Sequence, residues 1–213
     1  MPTSKKAIYK QIEDIFVERY RNAQTELRYK NLYEILICVI LSAQCTDKRV
    51  NMITPALFEK YPDINSLANA SLDDVKSLIS SCSFFNNKAK NIINMAKQVM
   101  NDFNGNIPLN SKDLKSLSGV GQKTANVVLL EYCGENLMAV DTHVFRVSHR
   151  LNLSKAKSAE ETEKDLNKIF KKNRNILHQG FVLFGRYICK SINPQCYTCF
   201  VYDFCKYENK LQK

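Results

Sequence analysis

Apolar side chains recur at intervals of three and four residues along much of the chain, and this spacing constrains the fold more than any other feature. One face of an amphipathic helix is formed in this way by Ala89, Ile92, Ile93, Ala96, Val99 and Met100. Helix-breaking residues are sparse, with 6 glycines and 5 prolines in 213 residues. The sequence therefore predicts an all-α protein.

Two segments test that prediction. Residues 34–41 are apolar all round and rich in β-branched side chains, so their pattern alone allows a buried strand as well as a buried helix. The helical pattern of the neighbouring segments favours the helix. Pro55 is expected to break or kink the helix that follows Asp47, because proline lacks the backbone N–H and clashes with the preceding turn.

The charge balance suggests a partner without identifying it. The formal net charge is +10, from 31 Lys and Arg against 21 Asp and Glu. This balance fits a polyanionic partner and an ordinary basic surface equally well. The N-terminal residues 1–7 carry lysines without an apolar signal core, and the longest apolar run is far shorter than the about 20 residues that span a bilayer. We expect a soluble, cytoplasmic protein that does not enter a membrane.

The segment from Leu117 to Val128 has the features of a phosphate-binding turn. Gly119 and Gly121 flank Val120, which allows a tight turn and a close approach of the backbone to another molecule. A buried helix is predicted to begin at Gln122, and the amides at a helix start favour a phosphate. Lys123 then lies in the first helical turn. On these features alone, it could be no more than a surface lysine that contacts phosphate.

Three stretches resemble the helix–hairpin–helix DNA glycosylases and, within them, the endonuclease III family. They are Leu-x-Gly-Val-Gly-x-Lys-Thr-Ala from Leu117, Val-Asp-Thr-His at 140–143 and Leu-Ser-Ala-Gln at 41–44. The resemblance implies a six-helix lobe at 23–135, with the hairpin at about 111–132. It also implies a discontinuous helical lobe formed by 1–22 and 136–213, which faces the first lobe across a cleft.

For function, the resemblance implies a bifunctional DNA glycosylase and abasic-site lyase that removes oxidised pyrimidines in base excision repair. Lys123 would be the nucleophile that attacks the sugar and forms a Schiff base, after which the 3′ phosphate is lost by β-elimination. The amine must be neutral to attack, and both burial and the positive end of its helix would favour that form. Asp141 would stabilise the positive charge that develops on the sugar. A simpler role for Asp141 is to cap a helix that starts at Thr142.

Four cysteines crowd the end of the chain. Cys189, Cys196, Cys199 and Cys205 are separated by six, two and five residues. Four thiolates can hold zinc or an iron–sulfur cluster. The lack of an export signal argues against disulfides. The resemblance implies a 4Fe–4S cluster in a loop at 189–205, with a structural role as the simplest one.

Two further residues are assigned to DNA distortion by the resemblance. Gln44 would fill the space left when a nucleotide is turned out of the duplex, and Phe84 would act as a second wedge. The alternative is that Phe84 and Phe85 both belong to the core. Two departures from the family pattern concern affinity: Ser118 stands where proline is common and should loosen the turn, while Gln122 replaces a frequent basic residue.

Two other functions compete with this interpretation. A monofunctional glycosylase of the same fold, acting on mispaired adenine or thymine, would typically lack the hairpin lysine that Lys123 provides. A non-enzymatic DNA-binding module with an iron–sulfur sensor would not need both Lys123 and Asp141. The resemblance implies a monomer, associated with the nucleoid, whose partner is double-stranded DNA with a damaged base or an abasic site.

Overall fold

The computed structural model describes residues 4–211, and this part of the chain is helical, without a β-strand. The prediction of an all-α protein is confirmed. None of the described helices is long and apolar enough to cross a membrane. The α-helices are α1 (Lys5–Tyr20), α2 (Leu32–Ser42), α3 (Asp47–Lys60), α4 (Ile64–Ala68), α5 (Leu72–Leu78), α6 (Phe85–Asp102), α7 (Ser111–Leu114), α8 (Gln122–Cys133), α9 (Thr142–Arg150), α10 (Ala159–Ile169) and α11 (Arg174–Tyr187). Two short 3-10 helices, Cys196–Thr198 and Tyr202–Phe204, follow α11.

The unit formed by Thr25–Gly134 is built around α2. Every residue of α2 from Tyr33 to Leu41 is buried, and the helix packs against α3, α6 and α8. A helix that is apolar on all sides needs neighbours on all sides, which explains why this segment shows no amphipathic spacing. The ambiguous segment at 34–41 is thus a buried helix.

Pro55 does not break α3, so that expectation is wrong in its stronger form. The helix runs from Asp47 to Lys60 with Pro55 in its interior. Its buried side chains lie on both sides of the proline, at Val50 and Leu57 among others. The packing of side chains before and after Pro55 stabilises the helix enough to offset the loss of the backbone hydrogen bond that proline cannot make.

The second unit comprises the described residues up to Gln24 and those from Glu135 onward. In its core, the ring of Phe16 in α1 meets the edges of Phe181 and Phe184 in α11, with centroids 4.7 and 5.3 Å apart. Residues 1–3 and 212–213, which the sequence assigned to the terminal lobe, lie outside the described residues.

Helix α11 also lies close to α9, where Gly185 makes the contact. A Cβ atom added to Gly185 would lie 3.0 Å from the Cβ of His143, a contact so tight that His143 would have to move by a few tenths of an ångström. The absence of a side chain at Gly185 therefore sets the distance between α11 and the first turn of α9. Asp141 stands at the start of that turn.

Candidate active site

The hairpin between α7 and α8 requires glycine at position 119 for two reasons. Gly119 has a φ of +80°, in the left-handed region that side chains disfavour. A Cβ atom there would also lie 3.0 Å from the Cβ of Asn91 in α6. The next residue, Val120, is buried, and its N–H donates to the carbonyl of Leu117 at 3.1 Å. The turn thus folds back tightly on the core of its unit.

Two amide side chains of α6 hold this turn, and the sequence did not single them out. Gln98 accepts from the N–H of Ser118 at 2.7 Å and donates to the carbonyl of Ser116 at 3.2 Å. The hydroxyl of Ser118 donates to Asn91 at 3.3 Å. Ser118 therefore does not leave the turn loose, since its backbone and its side chain are both bound to α6.

The start of α8 is open to an anion. Gly121 is the N-cap residue, and no side chain caps this end of the helix. A Cβ atom added to Gly121 would have no neighbouring atom within 4 Å, so the approach to the first amides is unobstructed. Unpaired amides at a helix start bind phosphates well.

Lys123 lies in the first turn of α8, as predicted, but its side chain is exposed. The expectation that the side chain of Lys123 is buried is therefore wrong for the free protein. Lys123 is the second residue of α8, at the positive end of the helix dipole.

Asp141 is the N-cap residue of α9, which confirms the predicted capping role. Its Oδ1 accepts from the N–H groups of His143 and Val144, both at 2.8 Å. Within residues 4–211, no hydrogen bond to its Oδ2 is present. The side chain is half-buried. The cap fixes the orientation of the carboxylate and leaves one oxygen for another partner.

His143 beside it is a structural residue. Burial lowers the pKa of His143, and the nearby Arg146 lowers it further, against the opposing effect of Asp141. Its Nδ1 lies 3.2 Å from Nη2 of Arg146, which donates. Arg146 thus holds the ring in place, and the role of His143 is structural.

Gln44 and Phe84 share an unusual backbone. Their φ angles are +53° and +58°, which side-chain-bearing residues rarely adopt and which cost on the order of 1–3 kcal/mol each. Both side chains are exposed, Phe84 at 61% of its surface. The alternative that Phe84 belongs to the core is thereby excluded, whereas Phe85 is half-buried. Strained residues with exposed side chains are typical of functional loops.

The terminal cysteines line one cavity. Its lining includes Cys189, Cys196, Cys199 and Cys205, and its empty volume is about 380 Å³, part of it open solvent. Burial raises the pKa of Cys199 to about 11 and also raises that of Cys189. Among the described residues, no three His, Cys, Asp or Glu side chains are grouped so that they could hold a single metal ion.

The architecture is that of the helix–hairpin–helix DNA glycosylases. The chain is all-α, a lysine lies in the helix that follows the hairpin, and an aspartate caps the start of the next helix. The sequence profile of the HhH-GPD superfamily base excision DNA repair proteins matches residues 37–172. Endonuclease III of Rickettsia felis is 42% identical over 203 residues, which are 95% of this chain and 95% of that protein. Endonuclease III of Bacillus subtilis is 39% identical, with 96% and 95% covered.

A solved structure titled as a trapped endonuclease III–DNA covalent intermediate has a TM-score of 0.88 and 40% identity, covering 93% of this chain and 95% of that one. A non-covalent endonuclease III–DNA complex has a TM-score of 0.90 and 39% identity, covering 95% and 96%. The chain belongs to the HhH-GPD superfamily of base excision DNA repair proteins and, within it, to the endonuclease III family. It is therefore an enzyme, a DNA N-glycosylase and abasic-site lyase, as the sequence predicted. The non-enzymatic DNA-binding module is excluded.

Proposed function

We propose that this protein removes oxidised pyrimidines from double-stranded DNA and then cleaves the abasic site with Lys123 as its nucleophile. The observation that carries the proposal is the position of Lys123. It is an exposed amine in the first turn of a helix whose start is uncapped and follows a hairpin held by α6. A DNA phosphate bound at that helix start would bring the adjoining sugar within reach of the amine.

The chemistry needs a neutral amine and a sugar with developing positive charge. Nζ of Lys123 attacks the anomeric carbon as the bond to the base breaks, and the departing base takes up a proton. The sugar ring then opens between C1′ and O4′ to leave a Schiff base, from which loss of a C2′ proton expels the 3′ phosphate by β-elimination. Because Lys123 is exposed in the free protein, bound DNA has to exclude water from it. The relative trapped as a covalent intermediate with DNA supports a covalent route here too.

Asp141 supplies the negative charge. Two backbone donors fix its Oδ1, so the carboxylate is oriented before substrate binds and no energy is spent on ordering it during the reaction. Its Oδ2 can face the cationic sugar or accept the proton of the attacking amine. The capping role and the catalytic role use different oxygens and are therefore compatible.

Gln44 and Phe84 are proposed to enter the duplex beside the extruded nucleotide. The amide of Gln44 can both donate to and accept from the base left unpaired, and the ring of Phe84 can stack on a neighbouring base. Their exposure and their left-handed backbone support this role. The two solved relatives are complexes with DNA, which supports DNA as the partner; we propose that this DNA is double-stranded. We propose that the protein acts on it as a monomer.

The four cysteines fit a 4Fe–4S cluster better than a zinc ion. Each thiolate of such a cluster binds a different iron, so the sulfurs stand farther apart than four ligands about 2.3 Å from one zinc. The four cysteines line one cavity, and their intervals of six, two and five residues match the pattern of the 4Fe–4S site in this family. Cys189, Cys196, Cys199 and Cys205 would hold the cluster, which would supply a fixed link between the end of α11 and the following segment.

The test is a panel of duplexes that carry thymine glycol, dihydrouracil, an abasic site, or a mismatched adenine or thymine. Base release and strand cleavage are measured separately. The proposal expects both products from the two oxidised pyrimidines and cleavage of the abasic duplex. Base release from mismatches without strand cleavage would instead support the monofunctional alternative, and the proposed substrate class would be wrong.

A further inference from the structure

A lysine in the first turn of α6 is buried, although lysines are rarely buried without a partner. The side chain of Lys88 is 5% exposed. Its ammonium donates to the carbonyl of Leu41 at 2.8 Å, to that of Ala43 at 2.6 Å and to the sulfur of Cys82 at 3.2 Å. An ammonium has three donors, so these contacts occupy all of them.

These contacts join two loops that are far apart in sequence. Ala43 directly precedes Gln44, so the ammonium holds the backbone of the Gln44 turn. On the other side, the ammonium contacts the sulfur of Cys82, which lies two residues before Phe84 in the same turn. Phe84 is also the N-cap residue of the helix that carries Lys88, and its carbonyl accepts the first helical hydrogen bond from the N–H of Lys88 at 3.1 Å.

The cation is held by dipoles and not by an opposite charge. Within residues 4–211, no carboxylate lies within ion-pair distance of Lys88. Leu41 and Ala43 end α2, whose last carbonyls lack partners inside the helix and form the negative end of its dipole. Burying a charge costs free energy even when backbone dipoles surround it. An apolar side chain would fill the same space without that cost.

We propose that Lys88 is a positioning residue that fixes the Gln44 turn and the Phe84 turn relative to each other, so that both side chains enter the duplex as one unit. This inference depends on the proposed roles of Gln44 and Phe84 in DNA distortion. The ammonium touches neither side chain, so Lys88 acts through the backbone before Gln44 on one side and through the sulfur of Cys82 on the other. Loss of the ammonium would leave each turn strained but independent.

The test compares Lys88→Met, which keeps the length of the side chain and removes the donors, with Lys88→Arg, which keeps donors. Lys97→Met is the control, since Lys97 is an exposed lysine of the same helix. Extrusion of the lesion is followed by the fluorescence of a 2-aminopurine placed opposite it. Strand cleavage is measured under single-turnover conditions on a duplex and on a single-stranded abasic oligonucleotide, where no base pair has to be opened.

In Lys88→Met, we expect extrusion and duplex cleavage to slow about tenfold. Cleavage of the single strand should stay within about twofold. Lys88→Arg should recover part of the duplex rate, and Lys97→Met should match the wild type. An equal loss on both substrates would show that Lys88 serves only the stability of the fold and would overturn the proposal.

A double-mutant cycle keeps the proposal open to refutation even if Lys88→Met does not fold. In the wild-type background, the losses from Gln44→Ala and Phe84→Ala should be non-additive by about tenfold, because the two side chains act as one unit. Additive losses would overturn the proposal. Failure of the proposed function would give a different result from failure of the Lys88 proposal. In that case, the wild type itself would not cleave the single-stranded abasic site.

Discussion

The guanidinium of Arg150 in α9 lies against the thiol of Cys189, with Nη1 3.3 Å from Sγ. The same nitrogen donates to the carbonyl of Lys190 at 2.7 Å, and the guanidinium lies over the ring of Tyr207, 4.0 Å from its centroid. Arg150 is buried, so these contacts are shielded from water. One side chain therefore holds the chain on both sides of the cysteine cavity.

Removal of this guanidinium should weaken the cysteine site. In Arg150→Met, we expect a cluster bound by the four cysteines to be lost several times faster in air, because the Cys189 loop loses its donors and its charge. The measurement is the decay of the brown visible absorbance of purified protein. Lys155→Met, at an exposed position, is the control. Equal decay rates in the two variants would contradict this role for Arg150.

Asp141 allows its two roles to be separated by substitution. Asparagine caps helices about as well as aspartate but lacks the charge, whereas alanine loses the cap at a cost of about 1 kcal/mol. Asp141→Asn should therefore retain the melting temperature of the wild type and lose at least about a hundredfold in single-turnover base release. Asp141→Ala should lose both. If Asp141→Asn retained full activity, the catalytic role of the carboxylate would be refuted.

Glu131 in α8 should make the stability of the protein depend on pH. Burial, with a contribution from Asp47, raises the pKa of Glu131 to about 7, while the backbone hydrogen bond to Thr25 opposes the shift. The folded state thus binds this proton more tightly than the unfolded state, in which a glutamate titrates near pH 4.3. The resulting stabilisation is complete below that pH and is lost as the pH rises through about 7.

Glu131→Gln removes this titration. At pH 8, the variant should be more stable than the wild type by on the order of 1–3 kcal/mol, and at pH 4 the two should be alike. Urea unfolding at both pH values measures the difference. Glu59→Gln, at an exposed position of α3, should show none. A variant that gains no stability at pH 8 would contradict the assignment.

Lys115 provides a positive charge at the hairpin where Gln122 does not. Its ammonium donates to Oε1 of Gln122 at 3.0 Å. A positive charge therefore lies beside Gln122, at the position where the family frequently has a basic residue. In Lys115→Gln, the affinity for undamaged duplex should fall several-fold, and the slope of log affinity against log salt should fall by about one. Lys164→Gln makes the same charge change at an exposed position of α10 and should leave the slope unchanged. Equal slopes in both variants would argue against a phosphate contact at Lys115.

The sequence predicted the helices and the candidate chemistry better than it predicted exposure. Helix starts at Gln122 and Thr142 follow from local signals, glycine before one and aspartate before the other. The exposure of Lys123 does not follow from local signals, because it depends on what packs around α8. For the same reason, Phe84 could be assigned to solvent or core only once the backbone was known.

Lys88 was missed although a signal was present. It lies four residues before Ile92, on the face of α6 that the apolar stripe predicts to be buried. A lysine on such a face can extend its ammonium to solvent, so position alone does not show whether the charge is buried. The acceptors that hold it come from the end of α2, more than forty residues earlier in the chain.

The central claim is that the amine of Lys123 becomes bonded to the sugar of the damaged nucleotide. Borohydride reduction during turnover on a thymine glycol duplex tests it, since reduction converts a Schiff base to a stable link. We expect the wild type to become covalently attached to DNA, with the adduct on Lys123 in the mass spectrum of its peptides. Lys123→Ala should give no adduct, while Lys112→Ala should still give one. An adduct on another residue, or cleavage of the strand by Lys123→Ala, would contradict the account.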